Sequence, residues 1–364
     1  MTVAHINRIG TAVPPYDVHD AFVRFAANTI REDKHRSVFL RMVARAGIEH
    51  RFSFLEPVLL PDGRITDTQG FYGLDAWPST AARMGRYEAW APVLALDAIA
   101  ALGIAGERER ITHLVVASCT GFMAPGIDQI LVAALGLDPG VERTLVGFMG
   151  CYAAVNALRL AHHIVRSAPD ARVLVVNLEL CSLHFQRTPE IERLLSMLLF
   201  GDGCAAALVT AEPHGIALDD FRAATIADTM GAITWRVGEQ GFDMHLGGEV
   251  PAAIGRALAR ELAQGAADGL LRGGTPADYR LWAVHAGGRS ILDAVEQGFG
   301  LPADALAFSR GVLADCGNMS SATLMFVLRR MLAEATAEEA PGFAIAFGPG
   351  LAAESFRFRR RPRA

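Results

Sequence analysis

Residues 147–166 read GFMGCYAAVNALRLAHHIVR, and this order of residue types decides the fold. An apolar run ends at a glycine, a single cysteine follows, and the positions after it carry apolar residues at helical spacing. Cys151 therefore lies at the start of a helix, where unpaired N–H groups and the helix dipole favour a thiolate. The alternative is a buried core cysteine, because free cysteine is among the most buried residue types.

A second part of the chain has the same plan. Residues 317–321, GNMSS, lead into a helical pattern and then into an apolar run, as Cys151 and its neighbours do. Each unit also follows an apolar run that ends in small residues, VVASCTG at 115–121 and WAVHAGG at 282–288. The sequence predicts one strand–turn–helix–strand unit used twice, with chance similarity of glycine-led helix starts as the alternative.

Three side chains that can take part in chemistry stand at these junctions: Cys151, His285 and Asn318. His285 ends a strand and precedes small residues, so its imidazole can lie in a crevice at the carboxyl edge of a sheet. Taken singly, His285 could be a structural histidine and Asn318 a helix N-cap. Their matched positions favour a shared site, because a pseudo-two-fold axis would bring the three side chains together.

Further segments follow the same alternation. Continuous apolar runs, typical of strands buried on both faces, occur at residues 111–118, 143–149, 172–178, 204–210, 281–285 and 343–347. Helical periodicity occurs at residues 87–102, 152–167, 252–270 and 322–335. The alternation predicts an α/β protein built in layers.

Composition and charge argue against several classes of protein. The 364 residues are 51% hydrophobic and carry a formal net charge of -5, so nothing indicates a nucleic acid or an anionic membrane as a partner. No apolar run approaches the roughly 20 residues that cross a bilayer. The five cysteines are scattered, which favours reduced thiols in a cytoplasmic protein over disulfides or zinc. The arginine-rich residues 357–364 are expected to be a solvated tail.

Five stretches together resemble the signature motifs of the type III polyketide synthases, the chalcone and stilbene synthase family, in its bacterial form. They are GFMGCYAAVNALRLA, LLFGDGCAAALV, WAVHAGGRSILDAVEQGFGL, GNMSSATLMFVL and AFGPGLAAESF. The resemblance covers about residues 6–356 and implies a thiolase-like α/β fold whose duplicated halves form αβαβα layers. Residues 1–221 would carry the cysteine, and residues 222–364 the histidine and asparagine.

The resemblance also implies an activity. Cys151 would accept an acyl group from an acyl-CoA starter, malonyl-CoA itself being one candidate, and His285 and Asn318 would complete the triad. Decarboxylated malonyl-CoA would extend the chain repeatedly, and cyclisation would give an aromatic or pyrone product. Coenzyme A thioesters are then substrates, and neither a metal nor another cofactor is needed. Met123 and Ala124 match the segment that reaches a partner's cavity, which implies a homodimer.

The resemblance further assigns residues to the cavity and to coenzyme A. Phe200 matches one phenylalanine that guards the cavity entrance, and the second falls at Met244, whose flexible thioether gives a softer gate. Trp235 stands where plant members keep a glycine. The other cavity candidates are Cys119, Thr120, Cys181, Leu183, His184, Ser320, Gly348, Pro349 and Gly350. Arg41 and Arg45 match two basic positions that contact coenzyme A.

Three other functions stay open from the sequence. The same scaffold serves enzymes that stop after one condensation. A cysteine–histidine pair can also merely hydrolyse an acyl-CoA. A non-catalytic scaffold protein is the third alternative, against which the intact set of Cys151, His285 and Asn318 argues.

Overall fold

A computed structural model describes residues 2–73, 76–334 and 338–362 of the chain. The helices are α1 His19–Thr29, α2 Asp33–Arg45, α3 Thr80–Leu102, α4 Ile127–Leu135, α5 Ala153–Ser167, α6 Ile191–Leu199, α7 Val250–Gln264, α8 Arg289–Phe299, α9 Ala307–Cys316 and α10 Ser321–Ala333. The strands are β1 Ala4–Ala12, β2 Tyr16–Asp17, β3 Phe52–Ser53, β4 Pro57–Leu59, β5 Ile65–Asp67, β6 His113–Ser118, β7 Glu142–Gly147, β8 Val173–Leu180, β9 Asp202–Thr210, β10 Ile216–Thr225, β11 Ile233–Gly238, β12 Gly241–Leu246, β13 Leu281–Val284, β14 Ala340–Gly348 and β15 Ala352–Arg360.

The main sheet is duplicated. Across the described residues it has nine strands in the order β13-β14-β15-β10-β1-β9-β8-β6-β7. The halves meet where β1 pairs antiparallel with β10, residues 4–6 against residues 216–218. From this seam outward, each half places its opening strand, its last strand, the strand after its central helix and then a strand parallel to that one, β6 in the first half and β13 in the second. The first half adds a fifth strand, β7, at the edge. The repeat predicted from the two glycine-led units is therefore present in the topology.

Five layers follow from where the apolar side chains lie. The central core contains the buried faces of α5 and α10, packed between the two halves of the sheet. A second core lies between one half and the outer helices α7 and α8. A third lies between the other half and α3 and α4. The predicted α/β fold with αβαβα layers is confirmed.

Each apolar run singled out in the sequence forms a strand, and each helical pattern forms a helix. Helix α7 ends six residues earlier than predicted, at Gln264, because Gly265 adopts a left-handed cap with φ 55. The helical pattern at 322–335 ends at Ala333, and Ala335 lies outside the described residues. Nothing in the described ranges is a helix long and apolar enough to cross a membrane.

The prediction that residues 357–364 form a solvated tail was wrong for the part that the structure describes. Residues 357–360 belong to β15, which pairs with β10 and β14. The arginines are held by ion pairs, Arg357 with Asp220 at 2.8 Å and Arg359 with Asp219 at 2.8 Å. A basic run thus forms a strand because acidic residues of the neighbouring strand face it.

Candidate active site

The turn that carries Cys151 is shaped by glycine. Strand β7 ends at Gly147, and Gly150 adopts φ 78, a conformation that side chains with a Cβ rarely adopt. A Cβ on Gly150 would also lie 2.5 Å from Cδ of Pro349 in the other half of the chain. The close approach places Cys151 directly before α5 and on the wall of a cavity.

His285 lies just beyond β13 and is only 1% exposed. Its backbone N–H donates to the Ile345 carbonyl at 2.9 Å, which continues the pairing of β13 with β14. Within the described part of the chain, neither ring nitrogen of His285 has a hydrogen-bond partner. Buried polar atoms are usually paired, so a ring with two unpaired nitrogens is suited to a reaction partner.

Asn318 stands at the matching junction of the second half. Its side-chain amide donates to the Gly287 carbonyl at 3.2 Å, and its Oδ1 accepts from the Ser320 N–H at 2.8 Å. These two bonds fix the orientation of the amide, whose hydrogen bond also favours the thiolate form of Cys151. The structure therefore brings Asn318 to Cys151, and holds it against the backbone two residues after His285.

Ser320 adds strain to the same place. Its φ of 46 lies in the left-handed region, and strained backbone of this kind clusters at functional sites. Its Oγ lies 3.2 Å from Sγ of Cys119, and its hydrogen bond to Cys151 favours the thiolate.

Burial nevertheless decides the charge of the free site. It raises the pKa of the Cys151 thiol to about 11, against the opposing hydrogen bonds from Ser320 and Asn318. It also lowers the pKa of His285 to about 4. Both groups are therefore neutral near pH 7, and the thiolate expected from the helix start is not the resting state. Loss of hydration outweighs the helix dipole here.

A carboxyl group that sequence reasoning missed lies beside the cavity. Glu179 of β8 is fully buried and accepts from Thr120 Oγ1 at 2.8 Å, from the Cys119 N–H at 3.0 Å and from Ser321 Oγ at 2.5 Å. Burial raises its pKa to about 7. The signal that could have revealed it is the one acid in the apolar stretch VLVVNLEL, since isolated acids are seldom buried without a role.

The cavity itself is small, at about 50 Å³. Nine of the sequence-predicted cavity residues line it: Cys119, Thr120, Cys181, His184, Phe200, Trp235, Met244, Ser320 and Pro349. Three are placed elsewhere. Leu183 packs in the core beneath α3, while Gly348 and Gly350 flank Pro349 without lining the cavity. Further lining residues were not predicted: Gly150, Phe185, Gln186, Arg193, Ser196, Met197, Ile233 and Asp243.

The back wall of the cavity is a rigid aromatic group. Trp235 donates its indole N–H to the Cys119 carbonyl at 2.8 Å. His184 donates from Nε2 to the Thr120 carbonyl at 2.7 Å and accepts the Phe242 N–H on Nδ1 at 3.0 Å. Burial lowers the pKa of His184 to about 3, so this ring is a neutral structural element of the wall.

The two predicted coenzyme A residues lie outside the cavity. Arg41 and Arg45 are exposed on α2, and Phe39 of the same helix packs against Leu194 and Leu198 of α6. Helix α6 lines the cavity through Ser196 and Met197. The basic face of α2 is therefore one helix away from the cavity.

No group of three or more potential metal ligands is present among the described residues. The polar side chains of the site instead suit the chemistry of thioesters. A thiol, a neutral imidazole and a fixed amide can supply a nucleophile, a base and an oxyanion donor respectively.

Known proteins were then compared with this chain. The family model for the N-terminal domain of chalcone and stilbene synthases matches residues 2–213, and the model for their C-terminal domain matches residues 220–362. The alpha-pyrone synthesis polyketide synthase-like Pks18 of Mycobacterium tuberculosis is 36% identical, over 76% of this chain and 72% of that protein. Bisdemethoxycurcumin synthase of Oryza sativa is also 36% identical, over 97% of this chain and 91% of its own.

A solved structure agrees with these matches. PKS-I from the brown alga Ectocarpus siliculosus superimposes with a TM-score of 0.85 at 30% identity, covering 99% of both chains. The family matches span nearly the whole chain, in the order in which the two halves of the fold occur. The chain therefore belongs to the chalcone and stilbene synthase family and is a type III polyketide synthase, an acyltransferase.

Proposed function

We propose that Cys151 is the acyl-accepting nucleophile and that His285 and Asn318 complete its triad. The observation that carries this proposal is the buried ring of His285 just beyond β13, whose two nitrogens have no hydrogen-bond partner among the described residues. The Asn318 amide is already oriented by the Gly287 carbonyl. His285 and Asn318 are both almost fully buried, and this burial of two polar side chains, which is costly for stability and calls for a function, supports the proposal.

The acylation step follows from the protonation states. A neutral thiol cannot attack efficiently, so its proton must leave as the thioester arrives. Neutral His285, whose pKa is lowered by burial, can accept that proton while Cys151 Sγ bonds to the thioester carbonyl carbon. The carbon–sulfur bond to coenzyme A then breaks, and the proton on His285 is available to the departing thiolate.

The extension step uses His285 and Asn318 as hydrogen-bond donors. Loss of carbon dioxide from malonyl-CoA leaves an enolate, whose oxygen needs hydrogen-bond donors in a dry site. The Asn318 amide and the imidazole of His285 are the donors that we assign. The enolate carbon then bonds to the carbonyl carbon of the acyl group, the bond from that carbon to Cys151 Sγ breaks, and the cysteine leaves as a thiolate. One such donor is typically worth about 3–4 kcal/mol of transition-state stabilisation.

Specificity belongs to the cavity wall. We assign Phe200 and Met244 to its entrance and Trp235, Cys181 and Thr120 to its lining, with Arg41 and Arg45 as contacts for the phosphates of coenzyme A. Both arginines are exposed on a helix that packs on α6. Acyl-CoA starters, malonyl-CoA among them, are the proposed substrates, and an aromatic or pyrone is the proposed product.

A homodimer is also proposed. Strand β7 is the end of the main sheet, and Leu145 on it is 52% exposed. Phe122 beside it is 50% exposed and precedes Met123 and Ala124, the segment assigned to the partner's cavity. A sheet edge that exposes large apolar side chains beside unpaired backbone groups favours association.

Two further assignments stay predictions. The chain divides into halves at residues 221 and 222, a point that falls inside β10, next to the seam with β1. The protein acts in the cytoplasm, which suits its five free thiols.

Mass spectrometry tests the proposed function. Wild-type and Cys151→Ala protein would be incubated with malonyl-CoA and a panel of acyl-CoA starters, and both products and tryptic peptides analysed. Multiply extended products and an acylated Cys151 peptide, from the wild type alone, are expected. Single-extension products would indicate a one-step condensing enzyme, free acid alone a hydrolase, and no turnover a scaffold; each would contradict the proposal.

A further inference from the structure

The side chain of Arg51 is buried beneath the catalytic cavity. Its exposure is 0%, and its hydrogen-bond acceptors are neutral groups. Nε donates to Nδ1 of His19 at 3.1 Å, while Nη1 donates to the carbonyls of Met197 at 3.1 Å and Phe200 at 2.8 Å. The guanidinium also lies over the Phe22 ring, 4.7 Å from its centroid. The nearest carboxylates are Asp17, which accepts the backbone N–H of Arg51 at 3.2 Å, and Asp202, and both act on the guanidinium through their charge alone.

The two carbonyls mark the end of a helix. Met197 belongs to α6, which ends at Leu199, and Phe200 is its C-cap. Carbonyls in the last turn of a helix lack the usual donor four residues on, and a cation there is favoured by the helix dipole. The Met197 carbonyl accepts a long bond from the Phe200 N–H, at 3.4 Å, besides that from Arg51. Arg51 thus fixes the end of α6 at the point where Phe200 enters the cavity wall.

The same point is joined directly to Asn318. The Asn318 N–H donates to the Leu199 carbonyl at 2.8 Å, and the Gly201 N–H donates to the Asn318 carbonyl at 3.0 Å. This pair of bonds makes a parallel bridge between Phe200 and Asn318. Any displacement at the end of α6 is therefore passed to the backbone of Asn318.

Packing leaves Arg51 little freedom. A Cβ on Gly317 would lie 2.8 Å from Cγ of Arg51, and a Cβ on Gly201 would lie 3.3 Å from its Cβ. The arginine stem is thus enclosed by the two glycines that flank the bridge. His19 holds the remaining side of the guanidinium. Its Nδ1 must be unprotonated to accept from Arg51 Nε, and burial keeps it so by lowering the pKa of His19 to about 4.

We propose that Arg51 is a positioning residue, which holds the end of α6 so that Phe200 keeps its place on the cavity wall and the Asn318 amide keeps its place beside Cys151. The inference rests on the proposed function, because Asn318 is taken there as the donor to the enolate. Loss of the Arg51 contacts would loosen the bridge, and the amide of Asn318 would no longer be preorganised. The rate of malonyl-CoA decarboxylation should therefore fall, while the accessibility of Cys151 should change little.

The first test compares Arg51→Lys with wild type. Lysine keeps the cation but cannot reach His19 and both carbonyls together, because it lacks the planar fork of arginine. We expect malonyl-CoA decarboxylation to fall by about tenfold or more and iodoacetamide labelling of Cys151 to stay within about twofold. Arg172→Lys is the matched control: Arg172 is 6% exposed and ion-paired with Glu107 and Glu212.

Variants of His19 give an independent test, which still applies if Arg51→Lys does not fold. His19→Leu removes only the acceptor of Arg51 Nε, whereas His19→Asn offers Oδ1 in place of Nδ1. We expect the leucine variant to follow Arg51→Lys and the asparagine variant to recover most of the decarboxylation rate. Equal rates in both His19 variants, or parallel losses of decarboxylation and labelling, would overturn the inference.

A readout without turnover separates this inference from the proposed function. Hydrogen exchange by mass spectrometry reports the Asn318 and Gly201 amides, whose bonds form the bridge. Arg51→Lys should speed their exchange by about tenfold or more, while Arg172→Lys should leave it unchanged. Unchanged exchange in Arg51→Lys would refute the positioning role even if wild type proved inactive with malonyl-CoA. Failure of the wild type to form carbon–carbon bonds would refute only the function.

Discussion

Gly150 and Pro349 touch across the two halves of the chain: a Cβ on the glycine would lie 2.5 Å from Cδ of the proline. The turn of the first half that carries Cys151 therefore packs directly on a loop of the second half. Because Gly150 also has φ 78, both its conformation and its surroundings require glycine.

Gly150→Ala should consequently displace Cys151. We expect condensation activity to fall by about 100-fold and the free energy of unfolding to fall by about 2–4 kcal/mol, from strain and overpacking together. Product assays and denaturant melts measure the two effects. Gly147→Ala is the control, because nothing lies within 4 Å of its added Cβ; similar losses in both variants would contradict this account.

Labelling of Cys151 by iodoacetamide should depend steeply on pH. With a pKa of about 11, its labelling rate should rise about tenfold per pH unit between pH 7 and pH 10, because the thiolate is the reactive species. Ser320→Ala should slow labelling at each pH, since the lost hydrogen bond favours the thiolate. A flat profile above pH 6 would instead show a resting ion pair with His285.

Stability should fall in acid partly because of His285. Its folded pKa, about 4, lies below the ordinary value of 6.5, so protonation favours the unfolded chain and stability is lost as pH falls through this window. Between pH 6.5 and pH 5 we expect wild type to lose about 2 kcal/mol more than His285→Gln. The ring nitrogens have no partners to lose in the described structure. Urea melts at both pH values measure the difference, and equal losses would disprove it.

Trp235 should limit the length of the product. Trp235→Gly removes an indole from a cavity of about 50 Å³ and should yield products with more malonyl-derived units. Trp235→Phe keeps most of the volume while losing the hydrogen bond to the Cys119 carbonyl, and its products should match those of wild type. Liquid chromatography with mass spectrometry distinguishes the two. Longer products from the phenylalanine variant would mean that the hydrogen bond, and not volume, sets the length.

Arg41 and Arg45 should act on binding alone. We expect Arg41→Ala and Arg45→Ala each to raise KM for malonyl-CoA about 3- to 10-fold with kcat unchanged, and the effect should shrink in high salt. Arg24→Ala, an exposed arginine on α1, is the control. Steady-state kinetics at two salt concentrations measure this, and a change in kcat alone would place these residues in another role.

Sequence reasoning found the parts of the fold whose signal is local. Strands such as β8, with every residue buried, are continuous apolar runs. Strand β1 escaped because its run, AHINRIGTA, carries polar residues such as Asn7, whose amide donates to the Glu212 and His214 carbonyls. The partners that make such a strand possible are some 200 residues away, and no local pattern contains them.

The site shows the same division. Cys151, His285 and Asn318 can be proposed from the sequence because each stands at a strand or helix boundary of a repeated unit. Arg51 and Glu179 cannot be recognised in this way. Their hydrogen-bond partners include backbone groups that come close only when the chain folds. The charge of Cys151 was misjudged for a related reason: a helix start is visible in the sequence, whereas the depth of burial is not.

The central layer has a consequence for synthesis on the ribosome. Helix α10, buried over nearly its whole length, packs against α5 and against β1, β8 and β9 of the first half. A nascent chain that ends before residue 321 therefore leaves a broad apolar face of the first half uncovered. Chaperones that shield such faces should therefore engage this protein until α10 has been synthesised.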